Sequence, residues 1–137
     1  MLEIDDSMLT GIIGVDEQHM ALVEKVNHLF TLAADKAMEQ ELKDTFEFLV
    51  QYIITHFDTE EKLMKMIGYP NYQEHLQQHQ ELIEKAMALK VYLDEKQYEY
   101  QSILEIRDFL VDWVKNHIKG SDMDIGKYYH KIKKQVL

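Results

Sequence analysis

Residues 46–63 read Phe46-Glu47-Phe48-Leu49-Val50-Gln51-Tyr52-Ile53-Ile54-Thr55-His56-Phe57-Asp58-Thr59-Glu60-Glu61-Lys62-Leu63. Phe46, Leu49, Ile53, His56, Glu60 and Leu63 fall three and four apart, the spacing of one face of an α-helix. His56 and Glu60 stand one turn apart on that otherwise apolar face, so an imidazole and a carboxylate are offered to the same point. A carboxylate on such a face without a partner costs on the order of several kcal/mol or takes up a proton. Cations beside it remove the problem. A helix rotated enough to expose Glu60 is the plain alternative, and the neighbouring segments argue against it.

Working outward, the same rhythm recurs three times. An earlier segment carries His19, Leu22, Val26, Leu29, Phe30 and Ala33, with Asp16 as its expected N-cap. Gly68 and Pro70 end the central helix, and Asn71 is the expected cap of the next, whose stripe is Tyr72, His75, Leu76, His79, Leu82, Ile83 and Ala86. After a break near Asp94–Gln97 comes Ile103, Ile106, Leu110, Trp113, Val114 and His117, with Gly120 expected to stop the helix. The links are short, including a polar one near Asp35–Gln40, so neighbouring helices are expected to be antiparallel. Met8, Leu9, Ile12, Ile13 and Val15 are expected to pack an N-terminal arm onto them. The sequence thus predicts an all-α fold, an antiparallel up-down-up-down four-helix bundle with an N-terminal arm and a short C-terminal helix. One domain is expected over 1–137, divided into arm 1–15, bundle 16–120 and C-terminal segment 121–137.

The inward stripes carry His19, His56, Glu60, His75, His79 and His117, and Asp122 follows the last. Imidazole with carboxylate suits a first-row transition metal better than Mg²⁺ or Ca²⁺. So many donors are too many for one ion and about right for two. His75 and His79 form an i, i+4 chelate. His117 and Asp122 are five apart, about 140° off on a continuous helix, and share a site only if the helix breaks between them; Gly120 stands where it would. His28, about 180° around the first helix from His19, is expected to face solvent. His130 lies in the terminal segment, and neither of these two is assigned to metal.

Composition narrows the remaining classes. With no cysteine, disulfides, thiolate zinc sites and iron–sulfur clusters are excluded. No His has a Glu three residues before it, as the ferritin-like carboxylate proteins need, and His-Glu-x-x-His is absent. No glycine-rich phosphate loop or nucleophile motif is present. Scattered methionines (Met38, Met64, Met66, Met87) are read as core filling. A formal net charge of −10 disfavours nucleic acid and anionic membrane as partners. No apolar run is long enough to span a bilayer, and the first residues are acidic where a signal peptide is basic, so a soluble, cytoplasmic protein is expected. Against that charge, Lys115, Lys119, Lys127, Lys131, Lys133 and Lys134 gather near the C-terminus. A docking patch for a protein partner is one reading of them; complementing the dipole of a terminal helix is the other.

These residues carry a resemblance. Val15-Asp16-Glu17-Gln18-His19, His56-x-x-x-Glu60-Glu61 with Met64, Tyr69-Pro70, His75-x-x-x-His79, and Trp113-x-x-x-His117-Ile118 with Asp122 resemble, in order, the ligand motifs of the hemerythrins, in particular single-domain bacteriohemerythrins. The resemblance implies a non-haem centre of two iron ions. One would take His75, His79 and His117, and the other His19 and His56. Glu60 and Asp122 would bridge them, with a hydroxide or oxide as third bridge. Two octahedral irons have one position more than this set fills, on the side with two histidines. There O₂ would bind reversibly, and small anions such as azide would compete. Phe57, Trp113, Val114 and Ile118 are expected around that position, apolar and without a general acid or base. No substrate is consumed, so a non-enzymatic role in oxygen storage, delivery or sensing is implied. The bundle uses the whole sequence, so a sensor would signal through a separate protein. A peroxide-related or iron-handling role is the remaining alternative.

Overall fold

The computed structural model describes residues 2–136; Met1 and Leu137, the outer limits of the expected domain, lie outside them. The element order is a 3-10 turn (Asp6–Met8), α1 (Ile13–Ala34), α2 (Glu39–Ile67), α3 (Tyr72–Glu95), α4 (Tyr100–His117), a π-turn (Ile118–Asp122) and α5 (Met123–Val136). α1 to α4 pack as a ring, each against the next and α4 against α1. No strand occurs among the described residues, and no helix there is long and apolar enough to cross a membrane. The up-down-up-down four-helix bundle with an arm and a short C-terminal helix is therefore the observed architecture.

The stripes become the core. Leu22, Val26, Leu29 and Ala33 of α1 meet Phe46, Leu49 and Ile53 of α2, Leu82 and Ala86 of α3, and Ile103, Ile106 and Leu110 of α4, all buried. This apolar mass fills one end of the bundle and leaves the other to the polar residues described below. A smaller cluster, Met64, Tyr69 and Ile125, seats α5 across the end of α2. Gly68 ends α2 in the left-handed region, at φ 66°, which glycine reaches without strain. α5 and the arm come close at Gly126, where a β-carbon would lie 2.6 Å from the Thr10 carbonyl oxygen.

Several expectations are corrected. α1 begins at Ile13, ahead of Asp16. Asp16 sits in the first turn and reaches back, its carboxylate accepting from Thr10 N, Thr10 Oγ1 and Gly11 N at 2.7–3.0 Å. It therefore ties the arm to the helix instead of capping it. Met8 and Val15 are buried and Ile12 packs on the smaller cluster, but Leu9 (38% exposed) and Ile13 (76%) point outward. Asn71 takes the N-cap position of α3 without a side-chain cap hydrogen bond. Gly120 does not stop the fourth helix. The chain widens there into the π-turn and runs on directly into α5, and Gly120 has no positive φ.

Candidate metal centre

Each of α1 to α4 contributes to one buried polar cluster. His19 comes from α1, His56 and Glu60 from α2, His75 and His79 from α3, and His117 from the last residue of α4. Asp122 closes the π-turn. All of them are buried, and Glu60 is 0% exposed. The π-turn answers the spacing problem. Its i→i+5 pattern brings residues five apart onto one face, where an α-helix would separate them. His117 Nε2 and Asp122 Oδ1 are accordingly 3.2 Å apart.

The donor atoms fall into two groups, each within 4.8 Å of one another: Glu60, His75, His79, His117 and Asp122, and His19, His56, Glu60 and Asp122. Glu60 and Asp122 belong to both. His19 Nε2 lies 2.9 Å from Asp122 Oδ2 and 3.3 Å from Glu60 Oε2, and His56 Nε2 lies 3.2 Å from the latter. On the other side, Asp122 Oδ1 is 3.1 Å from His75 Nε2, and Glu60 Oε1 is 3.0 Å from His79 Nε2.

The fit to a metal can be read from these atoms. Nε2 of His19, His56, His75 and His117, Oε2 of Glu60 and both oxygens of Asp122 are buried with no hydrogen-bond partner, despite the short separations. They approach without the alignment that a hydrogen bond needs. So many orphaned donors facing inward would be costly as they stand. Imidazole nitrogens and carboxylate oxygens that converge in this way are the donor chemistry of a first-row transition metal. The residues present fit a pair of such ions.

Two residues of the quoted motifs that were given no role, Gln18 and Glu61, hold ligands from behind. His56 Nδ1–H donates to Gln18 Oε1 at 2.6 Å, and His79 Nδ1–H donates to Glu61 Oε2 at 3.0 Å. With Nδ1 protonated, each ring turns its Nε2 lone pair inward, the arrangement by which outer partners orient metal-binding histidines. Gln18 is itself braced by Nε2 donation to Thr59 Oγ1 at 3.3 Å. Their signal was adjacency: Gln18 precedes His19 and Glu61 follows Glu60, so each lies at a helix interface beside a candidate ligand.

Of the apolar residues expected together, Phe57, Val114 and Ile118 are buried in one core cluster and Trp113 packs against it. Phe57 stacks on His79 (3.7 Å between centroids, 5° between planes) and Trp113 on His117 (4.4 Å, 16°), both histidines of the larger group. Val114 and Ile118 are buried in the main core. His28 is exposed, as its phase requires. His130 Nε2–H donates to the Thr10 carbonyl at 3.0 Å, joining α5 to the arm.

Electrostatics follow from burial among opposite charges. Burial pushes His19 and His75 down, but Asp122 and Glu60 beside them prevail and raise both to about 9. Burial raises Glu60 and Asp122; the surrounding histidines prevail and hold Glu60 well below the ordinary carboxylate range and Asp122 below its own. The histidine contribution to stability of the metal-free protein is therefore full below their unfolded pKa of about 6.5 and lost as pH rises through about 9. The carboxylate contribution is present above about 4 and lost as pH falls through the lowered folded values. Metal must displace the histidine protons. Loading the metal-free protein with Fe²⁺ at pH 7 should release about three protons per chain, two from His19 and His75 and one from the water that would become the bridging hydroxide, falling toward about one above pH 9. Titration in weak buffer with a pH indicator measures this. Equal release at pH 7 and pH 10 would contradict the assignment.

The fold and the cluster define a four-helix-bundle protein with a buried, cation-binding donor set. A family model described as the hemerythrin HHE cation binding domain matches residues 10–129. A bacteriohemerythrin of Stenotrophomonas maltophilia is 29% identical over 122 residues, covering 89% of this chain and 77% of that protein. A bacteriohemerythrin of Pseudomonas aeruginosa is 31% identical over 117 residues, covering 85% and 74%. A hemerythrin-like protein of Naegleria gruberi is 30% identical over 119 residues, covering 87% and 86%. Among solved structures, the crystal structure of a hemerythrin mutant superposes with a TM-score of 0.73 at 26% identity, covering 87% of this chain and 88% of that one. The chain belongs to the hemerythrin family.

Proposed function

We propose that this protein binds O₂ reversibly at two iron ions, as a carrier for oxygen storage or delivery and not as an enzyme. The observation that carries the reading is the division of one buried donor set into a three-histidine and a two-histidine group with Glu60 and Asp122 in common. His75, His79 and His117 would hold one ion, His19 and His56 the other, and Glu60 and Asp122 would bridge them beside a hydroxide or oxide. When bound, the iron pair supplies two electrons to O₂ and recovers them on release.

The chain's own residues set the conditions for reversibility. Gln18 fixes the ring of His56, and Glu61 that of His79, so that neither ligand turns away when the charge at the centre changes. Phe57 and Trp113 cover the faces of His79 and His117 and hold the orientation of both rings. The two-histidine side has fewer donors and is the side with room for O₂. Val114 and Ile118, buried and apolar, are assigned as its lining. They offer no proton to O₂ and hold water away, which favours release over irreversible oxidation of the iron.

Azide should enter the oxidised centre at the same place. Val114→Leu adds apolar volume to that lining and should slow both azide entry and loss of the oxygenated form about threefold, equivalent to roughly 0.7 kcal/mol of barrier. Stopped-flow azide binding and the decay of the oxygenated absorption band measure the two. If both rates match those of the unsubstituted protein, Val114 does not line the O₂ position.

A further inference from the structure

We propose that metal exchanges at the three-histidine group through the seam between α3 and the π-turn, with the Ser121–Gln78 hydrogen bond as its latch. The proposal rests on the metal-centre reading above. Two surface clefts meet at this seam. One, of about 140 Å³, is lined by His75, Gln78, Ser121, Glu74 and Asp124 among others. The second, of about 450 Å³, is lined by His117, Gln78, Ser121, Glu81 and Asp112 among others. Gln78 and Ser121 are common to both, and Ser121 Oγ donates to Gln78 Oε1 at 2.6 Å. That bond joins α3 to the π-turn at the surface, outside the buried His75–Asp122 pair, and lies between the clefts. Each cleft reaches a histidine that is more than nine-tenths buried and whose Nε2 has no hydrogen-bond partner.

Three further observations favour this seam. First, α3 and α4 approach each other least of the four neighbouring helix pairs. Second, the ligands differ in how firmly they are held. His56 and His79 are fixed from behind by Gln18 and Glu61, whereas no hydrogen bond among the described residues holds Nδ1 of His75 or His117. His19 Nδ1 is unpartnered as well, but His19 lines neither cleft; of the three ligands with no partner behind them, the clefts reach His75 and His117. Third, Ser121 stands in a π-turn, a rare departure from the α-helix that is frequent at functional sites. The carboxylates at the cleft mouths, Glu74 and Asp124 on one side and Glu81 and Asp112 on the other, draw divalent cations toward the latch.

Trp113 is the chain's only tryptophan and stacks on His117, so its fluorescence reports occupancy of this group in particular. The test mixes metal-free full-length protein with Fe²⁺ under anaerobic conditions, follows Trp113 in stopped flow, and then reverses the binding with excess chelator. Metal per chain at the end point is measured on the same samples. Ser121→Ala and Gln78→Ala should each speed uptake and release about fivefold, the loss expected from one hydrogen bond. The double variant should be no faster than either single one, because both remove the same bond. Glu74→Gln with Asp124→Asn should slow uptake about fivefold at low ionic strength and flatten its salt dependence. Two ions at the end point with unchanged rates in both latch variants would overturn the latch while leaving the centre intact. Fewer than two ions in the unsubstituted protein would instead overturn the centre, and the latch with it.

Discussion

Glu60→Ala is expected to leave the protein with essentially no bound iron, whereas His56→Ala leaves about one ion per chain and His28→Ala about two. The ordering follows from membership of the donor groups. Glu60 lies in both groups, within 3.0–3.5 Å of one histidine from α1, one from its own helix and two from α3. Removing it takes a donor from each ion and leaves histidines that carry raised proton affinity with one carboxylate fewer. His56 belongs to the smaller group alone, so the three-histidine group keeps its full set. His28 is the same residue type on the exposed side of α1 and tests whether any histidine loss has the effect. Iron analysis after anaerobic reconstitution gives the numbers, and circular dichroism confirms that the variants are helical. Loss of iron in His28→Ala equal to that in Glu60→Ala would contradict the placement of the centre.

Removing the metal should lower the melting temperature by about 10–15 °C. Ions bound only by the native state stabilise it by about 4 kcal/mol at a thousandfold excess over the dissociation constant, and each kcal/mol moves the melting point of a domain this size by about 3–4 °C. The structure gives a specific reason for expecting the full effect. Without ions, seven buried donor residues face one another with most of their inner atoms unpaired, at the end of the bundle that lacks the apolar mass. Attraction between the protonated His19 and His75 rings and the nearby carboxylates offsets part of this, so the deficit should widen above pH 9, where those histidines lose their protons. Thermal unfolding followed at pH 7 and at pH 10, with and without chelator, measures both effects. Coincident curves at both pH values would mean that the donors are not buried together.

Sequence periodicity was sufficient for what repeats along a helix. The four stripes, the stop at Gly68 and the inward phase of His19, His56, Glu60, His75, His79 and His117 all follow from spacings of three and four; the six polar residues are buried and Gly68 stands at the expected turn, while Phe30, Leu63, Tyr72, Leu76, Ile83 and Trp113 at the edges of the stripes are half-buried. Asp122 could be paired with His117 only by supposing a break in the helix, and the resemblance supported that pairing. What periodicity could not supply is geometry that departs from the α-helix. The five-residue gap from His117 to Asp122 is closed by a π-turn, and the Gly120 break inferred in its place does not occur. Tyr98 has a positive φ in the α3–α4 link and is nonetheless buried, its ring 6.2 Å from that of Phe46. Residues whose partners lie on other helices were also hidden. Gln18 and Glu61 look like surface polar residues until α1 meets α2 and α2 meets α3. Asp16 looked like a helix cap because aspartate favours that position and stands just before the first stripe; its partners, Thr10 and Gly11, lie in the arm. Phe57 and Trp113 were known to be aromatic and near the ligands; that each lies flat on a histidine of the larger group depends on the packing of side chains across helices.

The central claim is a pair of irons that takes up O₂ and gives it back. It is tested most directly on a single anaerobically reconstituted sample, by counting iron, adding O₂ in known amounts while recording the absorption spectrum, and then removing the gas under argon. The account predicts about two irons and one O₂ per chain, with a visible band that rises on oxygenation and disappears on degassing over repeated cycles. A stoichiometry of one iron or fewer, or a spectrum that changes once with O₂ and does not return, would contradict it.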